Sequence, residues 1–112
     1  MDALLGYAHS RREAQIELIR RIVEIESPSD DKRAVDRMVE FLADHLAPVA
    51  AVKVHRVRDK GNHLRAEFRL PGKKKTGQIL MLGHIDTVYP LRTIERMPFR
   101  IDRKSTRLNS SH

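Results

Sequence analysis

The chain has 112 residues, a formal net charge of +7 and no cysteine. This length suits one domain, and a hydrophobic content of 40% is enough for a modest core. Without cysteine there are no disulfides and no thiolate ligands, so any bound zinc needs His, Asp or Glu. No apolar stretch approaches the roughly 20 residues of a membrane span, and no secretory pattern opens the chain. The sequence therefore predicts a cytoplasmic protein without a membrane partner.

The basic charge leaves a second class of function open. The chain has two tyrosines, three phenylalanines and no tryptophan, and none of them interleaves with a basic cluster as stacking on bases requires. We therefore expect no nucleic-acid partner. The alternative is a small basic module that binds nucleic acid or another anion through Lys73–Lys75 and the arginines of the first helix. Salt-dependent affinity would favour that alternative.

Two helices are predicted before residue 48. Between Ala3 and Glu26, apolar residues recur at helical spacing, namely Ile16, Ile19, Ile22 and Val23. The segment Ser27-Pro-Ser29 interrupts this pattern. Ser29 or Asp30 can cap the second helix, with Asp31 in its first turn, and Pro48 stops it.

A hairpin and a buried strand are predicted next. Val52 and Val54 alternate with polar residues, Asp59–Asn62 has turn chemistry, and Leu64–Leu70 alternates in the same way, which favours antiparallel strands with one wet face. The segment 78–82, whose last four residues are all apolar, is typical of a strand buried on both faces. The predicted fold class is therefore α/β, with two helices followed by a hairpin and a buried strand in a mixed or mostly parallel sheet.

A histidine and an aspartate follow the apolar run, two positions apart, as His84 and Asp86. Open α/β sheets bind ligands and metals in the crevice outside the carboxyl ends of their strands. Residues two apart in extended backbone point the same way, so both side chains can face one pocket. A neutral imidazole ligates zinc well, and its other nitrogen needs an acceptor that fixes the ring. The spacing indicates half of a metal site; the alternative is a hydrogen-bonded loop pair.

Two motifs resemble the start of a dinuclear zinc hydrolase. They are Glu26-Ser-Pro-Ser29 before the second helix and Gly83-His-Ile-Asp-Thr-Val88 after the apolar run. The superfamily is that of glutamate carboxypeptidase, acetylornithine deacetylase, succinyl-diaminopimelate desuccinylase and aminoacylase. Tyr89-Pro90 and Pro98-Phe-Arg-Ile101 resemble the glutamate carboxypeptidase branch. Arg92 departs from that branch, which often has glycine there.

The resemblance implies a zinc-exopeptidase-like catalytic domain that cleaves the amide bond next to an amino-acid carboxylate. It implies that His84 is a zinc ligand and that Asp86 is the catalytic residue that supports this histidine. Two zinc ions would activate a water with a glutamate as general base, and the substrate would be a small peptide or an N-acyl amino acid. The family's other ligands, its Glu-Glu pair and its dimerisation domain have no counterpart in this sequence. We therefore expect weak zinc binding and no activity from the chain as given, and a homodimer only in a longer relative.

Residues 102–112 can be encoded by one reading frame that resembles a common sequencing-library adapter. We therefore predict that residues 1–101 are an N-terminal fragment of a metallopeptidase catalytic domain, and that 102–112 form a non-native, disordered tail. A partial domain of this kind should leave sheet edges and apolar faces uncovered. The enzyme hypothesis also requires His84 and Asp86 to lie at the carboxyl end of the buried strand and to point into one cavity.

Overall fold

The structure is a computed structural model that describes residues 2–72 and 76–102. In chain order it contains helices α1 (Asp2–Ser10), α2 (Arg12–Glu24) and α3 (Lys32–Leu46), strands β1 (Ala51–His55) and β2 (His63–Glu67), and a 3₁₀ helix (Thr93–Glu95). This is a mixed α and β chain, as the sequence predicts. The predicted tail from residue 103 onward and Lys73–Lys75 lie outside the described residues. None of the described helices is both long enough and apolar enough to cross a membrane.

The first predicted helix is two helices, separated at Arg11. The Ser10 hydroxyl donates to the Tyr7 carbonyl oxygen at 2.6 Å, and the Arg11 N–H is shared between the Tyr7 and Ala8 carbonyls at 3.1 and 3.2 Å. Side-chain bonds to nearby carbonyls compete with regular helical bonding. The prediction of one continuous helix, and of two helices in total, is therefore wrong. No residue of α1 or α2 is buried.

Helix α3 supplies the core. Asp31 caps its first turn, since the carboxylate accepts the Ala34 N–H at 3.1 Å. The predicted caps, Ser29 and Asp30, are thus wrong by one or two residues, whereas the stop before Pro48 is confirmed by the end of α3 at Leu46. Four apolar residues on one face of α3 form the buried core: Ala34, Val35, Met38 and Val39.

The predicted hairpin is confirmed. β1 and β2 pair antiparallel, with Val54 opposite Leu64 and Val52 opposite Ala66. These four side chains are half-buried and the residues between them are exposed. Both strands contact α3, so the half-buried face of the hairpin completes the small core.

A polar network joins α3 to the hairpin loop. The Asp36 carboxylate accepts the Asn62 N–H at 2.8 Å and the Lys32 ammonium at 2.9 Å. The Asn62 side-chain oxygen accepts the same ammonium at 2.9 Å and the Val57 N–H at 3.0 Å. Burial raises the pKa of Asp36, but the Asn62 N–H and the cations Lys32 and Arg56 outweigh burial and hold it below its ordinary 3.8. The loop therefore depends on an ionised carboxylate.

We expect Asp36→Asn to lower the free energy of unfolding by about 1.5 kcal/mol near neutral pH, because the hydrogen bonds lose their charge. A carboxylate whose folded-state pKa is depressed stabilises the protein above its unfolded pKa, and that contribution fades as the pH falls through the folded pKa. The difference between wild type and Asp36→Asn should therefore shrink once the pH falls below about 4. Urea unfolding at several pH values measures it, with Asp44→Asn, exposed on the same helix, as the control. A difference that is constant with pH would contradict the prediction.

The buried strand predicted over 78–82 is wrong for the described residues. The segment forms no strand, and the Ile79 and Met81 side chains are 92% and 88% exposed. A strand buried on both faces needs hydrogen-bonded neighbours and covering layers, and neither β1 nor β2 pairs with this segment. The described residues form a two-stranded antiparallel sheet in place of the predicted mixed sheet, plus one isolated parallel bridge between Pro28 and Thr87. Uncovered apolar surface therefore remains, as expected.

Candidate metal centre

The loop that carries His84 is attached to the connection between α2 and α3. The hydroxyl of the fully buried Ser27 donates to the Ile85 carbonyl at 2.8 Å. The Thr87 N–H donates to the Ser27 carbonyl at 2.8 Å, and the Ser29 N–H donates to the Thr87 carbonyl at 2.9 Å. Backbone groups on both sides of Asp86 are thereby fixed to the rest of the chain.

Glu26 holds the next part of the same loop. Its two carboxylate oxygens accept the Arg92 N–H at 2.7 Å and the Ile94 N–H at 3.0 Å. These are N–H groups at the start of the 3₁₀ helix, where a negative charge is favourable. The buried Thr93 adds a hydroxyl bond to the Pro90 carbonyl at 2.6 Å. The sequence predicts no role for Glu26 beyond its place in the motif. In the structure its carboxylate caps the 3₁₀ helix.

Arg92 adopts a backbone conformation that favours glycine. Its φ is 74° and its ψ is 6°, in the left-handed region. A Cβ in this region is strained, which is why glycine is the usual occupant. The arginine side chain pairs with Glu95, at 2.9 Å from Nε to Oε2, in an exposed position. Glycine would therefore fit at residue 92 without strain.

We expect Arg92→Gly to be more stable than Arg92→Ala by about 1 kcal/mol, because both variants lose the ion pair and only glycine removes the strained Cβ. Relative to wild type, loss of this exposed pair should change stability by no more than about 1 kcal/mol. Urea unfolding of the three proteins gives both differences. Equal stabilities of the glycine and alanine variants would mean that residue 92 is not left-handed.

His84 and Asp86 lie beside each other, as their spacing predicts. His84 Nδ1 is 3.5 Å from Asp86 Oδ1, at the outer limit of a hydrogen bond. This orientation turns Nε2, the other ring nitrogen, away from the carboxylate. The His84 side chain is 93% exposed and that of Asp86 is 35% exposed. The described residues therefore bring the pair together, but they neither place it at the end of a buried strand nor enclose the ring in a cavity, and the enzyme hypothesis requires both.

The electrostatics at Asp86 favour an ionised carboxylate. Hydrogen bonding from the Ser29 side chain lowers the pKa of Asp86 most, and the Asp86 N–H and His84 lower it further against the opposing effect of burial. The Ser29 hydroxyl also lies 3.0 Å from the Thr87 carbonyl oxygen, so its single proton serves two acceptors. An ionised Asp86 can accept the Nδ1–H of His84. The sequence predicts Ser29 only as a helix cap and gives no sign of this supporting contact.

The donor set fits one corner of a zinc site. An imidazole nitrogen backed by a carboxylate is a common zinc ligand with its supporting residue. Zinc needs about four ligands, and residues 2–72 and 76–102 contain no group of three or more His, Asp or Glu placed to hold a metal ion. His84 and Asp86 can thus contribute to a zinc site but cannot complete one.

A shallow cavity lies elsewhere, with a volume of about 510 Å³. It is bordered by Glu24, Ile25, Glu26, Arg37, Glu40 and Leu91. Neither His84 nor Asp86 borders it. The cavity therefore does not enclose the His84 and Asp86 pair, although Glu26, which caps the loop after this pair, borders it.

Two arginines of the first predicted helix, Arg20 and Arg21, lie over different aromatic rings. The Arg20 guanidinium lies 5.2 Å from the centre of the Phe99 ring, and that of Arg21 lies 5.0 Å from the centre of the Phe41 ring. Both arginines pack on aromatic rings, as cations commonly do. The other half of the anion-binding alternative, Lys73–Lys75, lies outside the described residues.

Comparison of the chain with protein-family models, with curated proteins and with solved structures finds no match.

Proposed function

We propose that this chain is the N-terminal part of a zinc-dependent metallopeptidase or amidohydrolase similar to glutamate carboxypeptidase. Its substrate would be a small peptide or N-acyl amino acid, cleaved at the amide next to the amino-acid carboxylate. One observation carries the proposal: the contact between His84 and Asp86 at 3.5 Å, on a loop that Ser27 and Ser29 hold in place.

In this proposal each residue of the pair has a defined role. His84 offers Nε2 to the metal, and the ionised Asp86 accepts the opposite N–H, which selects the tautomer and orients the ring. Bound zinc would supply Lewis-acid activation of a water and of the substrate carbonyl. The Ser29 hydroxyl helps to keep Asp86 ionised, because it favours the charged form of the carboxylate.

The exposed apolar run supports the same proposal. Ile79, Leu80, Met81 and Leu82 are between 78% and 92% exposed, whereas contiguous apolar surface normally marks a contact region. Additional strands on both edges of this run, with layers packed on both faces, would cover it. They would also bring further side chains to its carboxyl end, where His84 needs both an enclosing wall and more ligands.

A turnover assay tests the activity of the chain as given. We expect no zinc-dependent hydrolysis of an N-acyl amino acid above the level of His84→Ala, because a single histidine cannot hold two zinc ions. Turnover that depends on His84 would show that the described residues suffice and would contradict this expectation.

Genomic DNA beyond the codon for Ile101 tests the family assignment. We expect the reading frame to continue into a segment that supplies further Asp, Glu and His ligands. In the longer product, activity should require His84, and Asp86→Ala should reduce it by about 10- to 100-fold, the usual effect of removing a residue that supports a metal ligand. A longer product that hydrolyses no amide, or that is indifferent to His84, would refute the proposal.

A further inference from the structure

Two histidines face each other on the solvent side of the hairpin. In the register of β1 and β2, His55 lies directly opposite His63. Both are exposed, on the face that points away from α3. Directly opposed residues of antiparallel strands have Cβ atoms about 4.5–5.5 Å apart, so two imidazoles placed this way can reach one ion between them.

We propose that His55 and His63 form a two-histidine chelate for a divalent transition-metal ion, separate from His84. Imidazole nitrogen suits Cu²⁺, Ni²⁺ and Zn²⁺, and affinity for such sites is highest for Cu²⁺. Mg²⁺ and Ca²⁺ prefer oxygen ligands and are excluded by this donor set. Among the described residues no third His, Asp or Glu joins the pair, so water would fill the other coordination positions.

The backbone on both sides of the pair is fixed before any metal binds. Val54 and Leu64, next to the two histidines, pair across the sheet and are half-buried on the face towards α3. On the loop side, Asn62 donates to Asp36 at 2.8 Å and accepts from the Val57 N–H at 3.0 Å. Ligands held on ordered backbone lose less entropy on binding than ligands on a mobile loop. The hairpin therefore lowers the cost of chelation.

The charges next to the pair give this site an unusual salt dependence. Lys53 and Arg65 form the next pair on the same face, about 7 Å along the strands. Both cations repel a divalent metal ion, although Glu67 lies 3.7 Å from the Arg65 guanidinium and offsets part of that charge. Salt screens the repulsion, so metal affinity should rise with ionic strength. Lys53→Gln should raise it about twofold at physiological salt, and more at low salt.

Calorimetric titration of the full chain with Ni²⁺ tests the proposal. His55→Thr and His63→Thr remove one ligand each and retain a residue suited to strands. Each should weaken Ni²⁺ binding by more than about tenfold, because removal even of a supporting residue has that effect. His45→Gln, exposed and outside both proposed sites, is the control and should bind Ni²⁺ as wild type does. Far-UV circular dichroism verifies that every variant is folded, and Mg²⁺ should give no binding heat.

A nuclear magnetic resonance titration with Cu²⁺ locates the ion directly. Below one equivalent, the paramagnetic ion should broaden the imidazole signals of His55 and His63 together, before those of the other histidines. Wild-type affinity in both threonine variants, or first broadening at His84, would overturn the proposal. Repeating the Cu²⁺ titration in His84→Gln, which lacks the proposed hydrolase ligand, makes this result independent of the proposed hydrolase function.

Discussion

Met38→Ala should lower the free energy of unfolding by about 3 kcal/mol, the usual cost of truncating a buried methionine. The Met38 side chain is 1% exposed, and its neighbours on α3, Ala34 and Val35, are also buried. Few other buried apolar residues are available to fill the vacated space, since the core of the described residues is small. Urea unfolding followed by far-UV circular dichroism measures the loss, because the chain has no tryptophan for fluorescence.

Met81→Ala is the matched control for this prediction. The chemical change is the same, but the Met81 side chain is 88% exposed, so stability should change by less than about 0.5 kcal/mol. The comparison also distinguishes the structure from the prediction of a buried strand over 78–82. If Met81→Ala were as destabilising as Met38→Ala, the apolar run would be buried and its exposed position in the structure would be wrong.

Gly61→Ala should destabilise the chain by about 2 kcal/mol, within the range of overpacked cores. A Cβ at residue 61 would lie 2.5 Å from Val35 Cβ and would overlap Val35 Cγ1. A valine in a helix has essentially one rotamer, so its side chain cannot turn away. The hairpin loop or α3 must therefore shift, and such a shift also strains the bond from the neighbouring Asn62 to Asp36.

Gly77→Ala provides the control for Gly61→Ala. A Cβ at residue 77 would meet nothing within 4 Å, so we expect little change in stability. Unfolding midpoints of both variants against wild type measure the difference. Equal effects at the two positions would mean that the loop does not pack on Val35 as the structure describes.

Much of the local structure could be predicted because its causes are local. Alternation of apolar and polar residues identifies both strands of the hairpin, and Pro48 marks the end of α3. The break at Arg11 escaped prediction because neither proline nor glycine marks it in the sequence. The run over 78–82 misled for a different reason. Its composition is typical of a buried strand, but both strand pairing and burial depend on partners that the run itself does not encode.

In the candidate site too, the local contact was predictable and the long-range contacts were not. The spacing of His84 and Asp86 predicted their contact, because two residues of extended backbone fix where the side chains point. The support from Glu26, Ser27 and Ser29 was missed. Their bonds span between 58 and 68 residues of sequence, and periodicity carries no information over that range. The motif Glu26-Ser-Pro-Ser29 is the sequence signal for these supporting residues, but it does not by itself indicate which loop they bind.

The bonds between Ser27, Ser29 and Thr87 have a consequence for biosynthesis. Loops closed over 58 residues form after the nearby contacts inside them, because their closure entropy is larger. During synthesis on a ribosome, α3 and the hairpin would emerge and fold first. The apolar segment over 78–82 would then leave the exit tunnel before Thr87 could anchor the chain. Nascent polypeptides with this order of events are natural clients of chaperones that shield apolar segments.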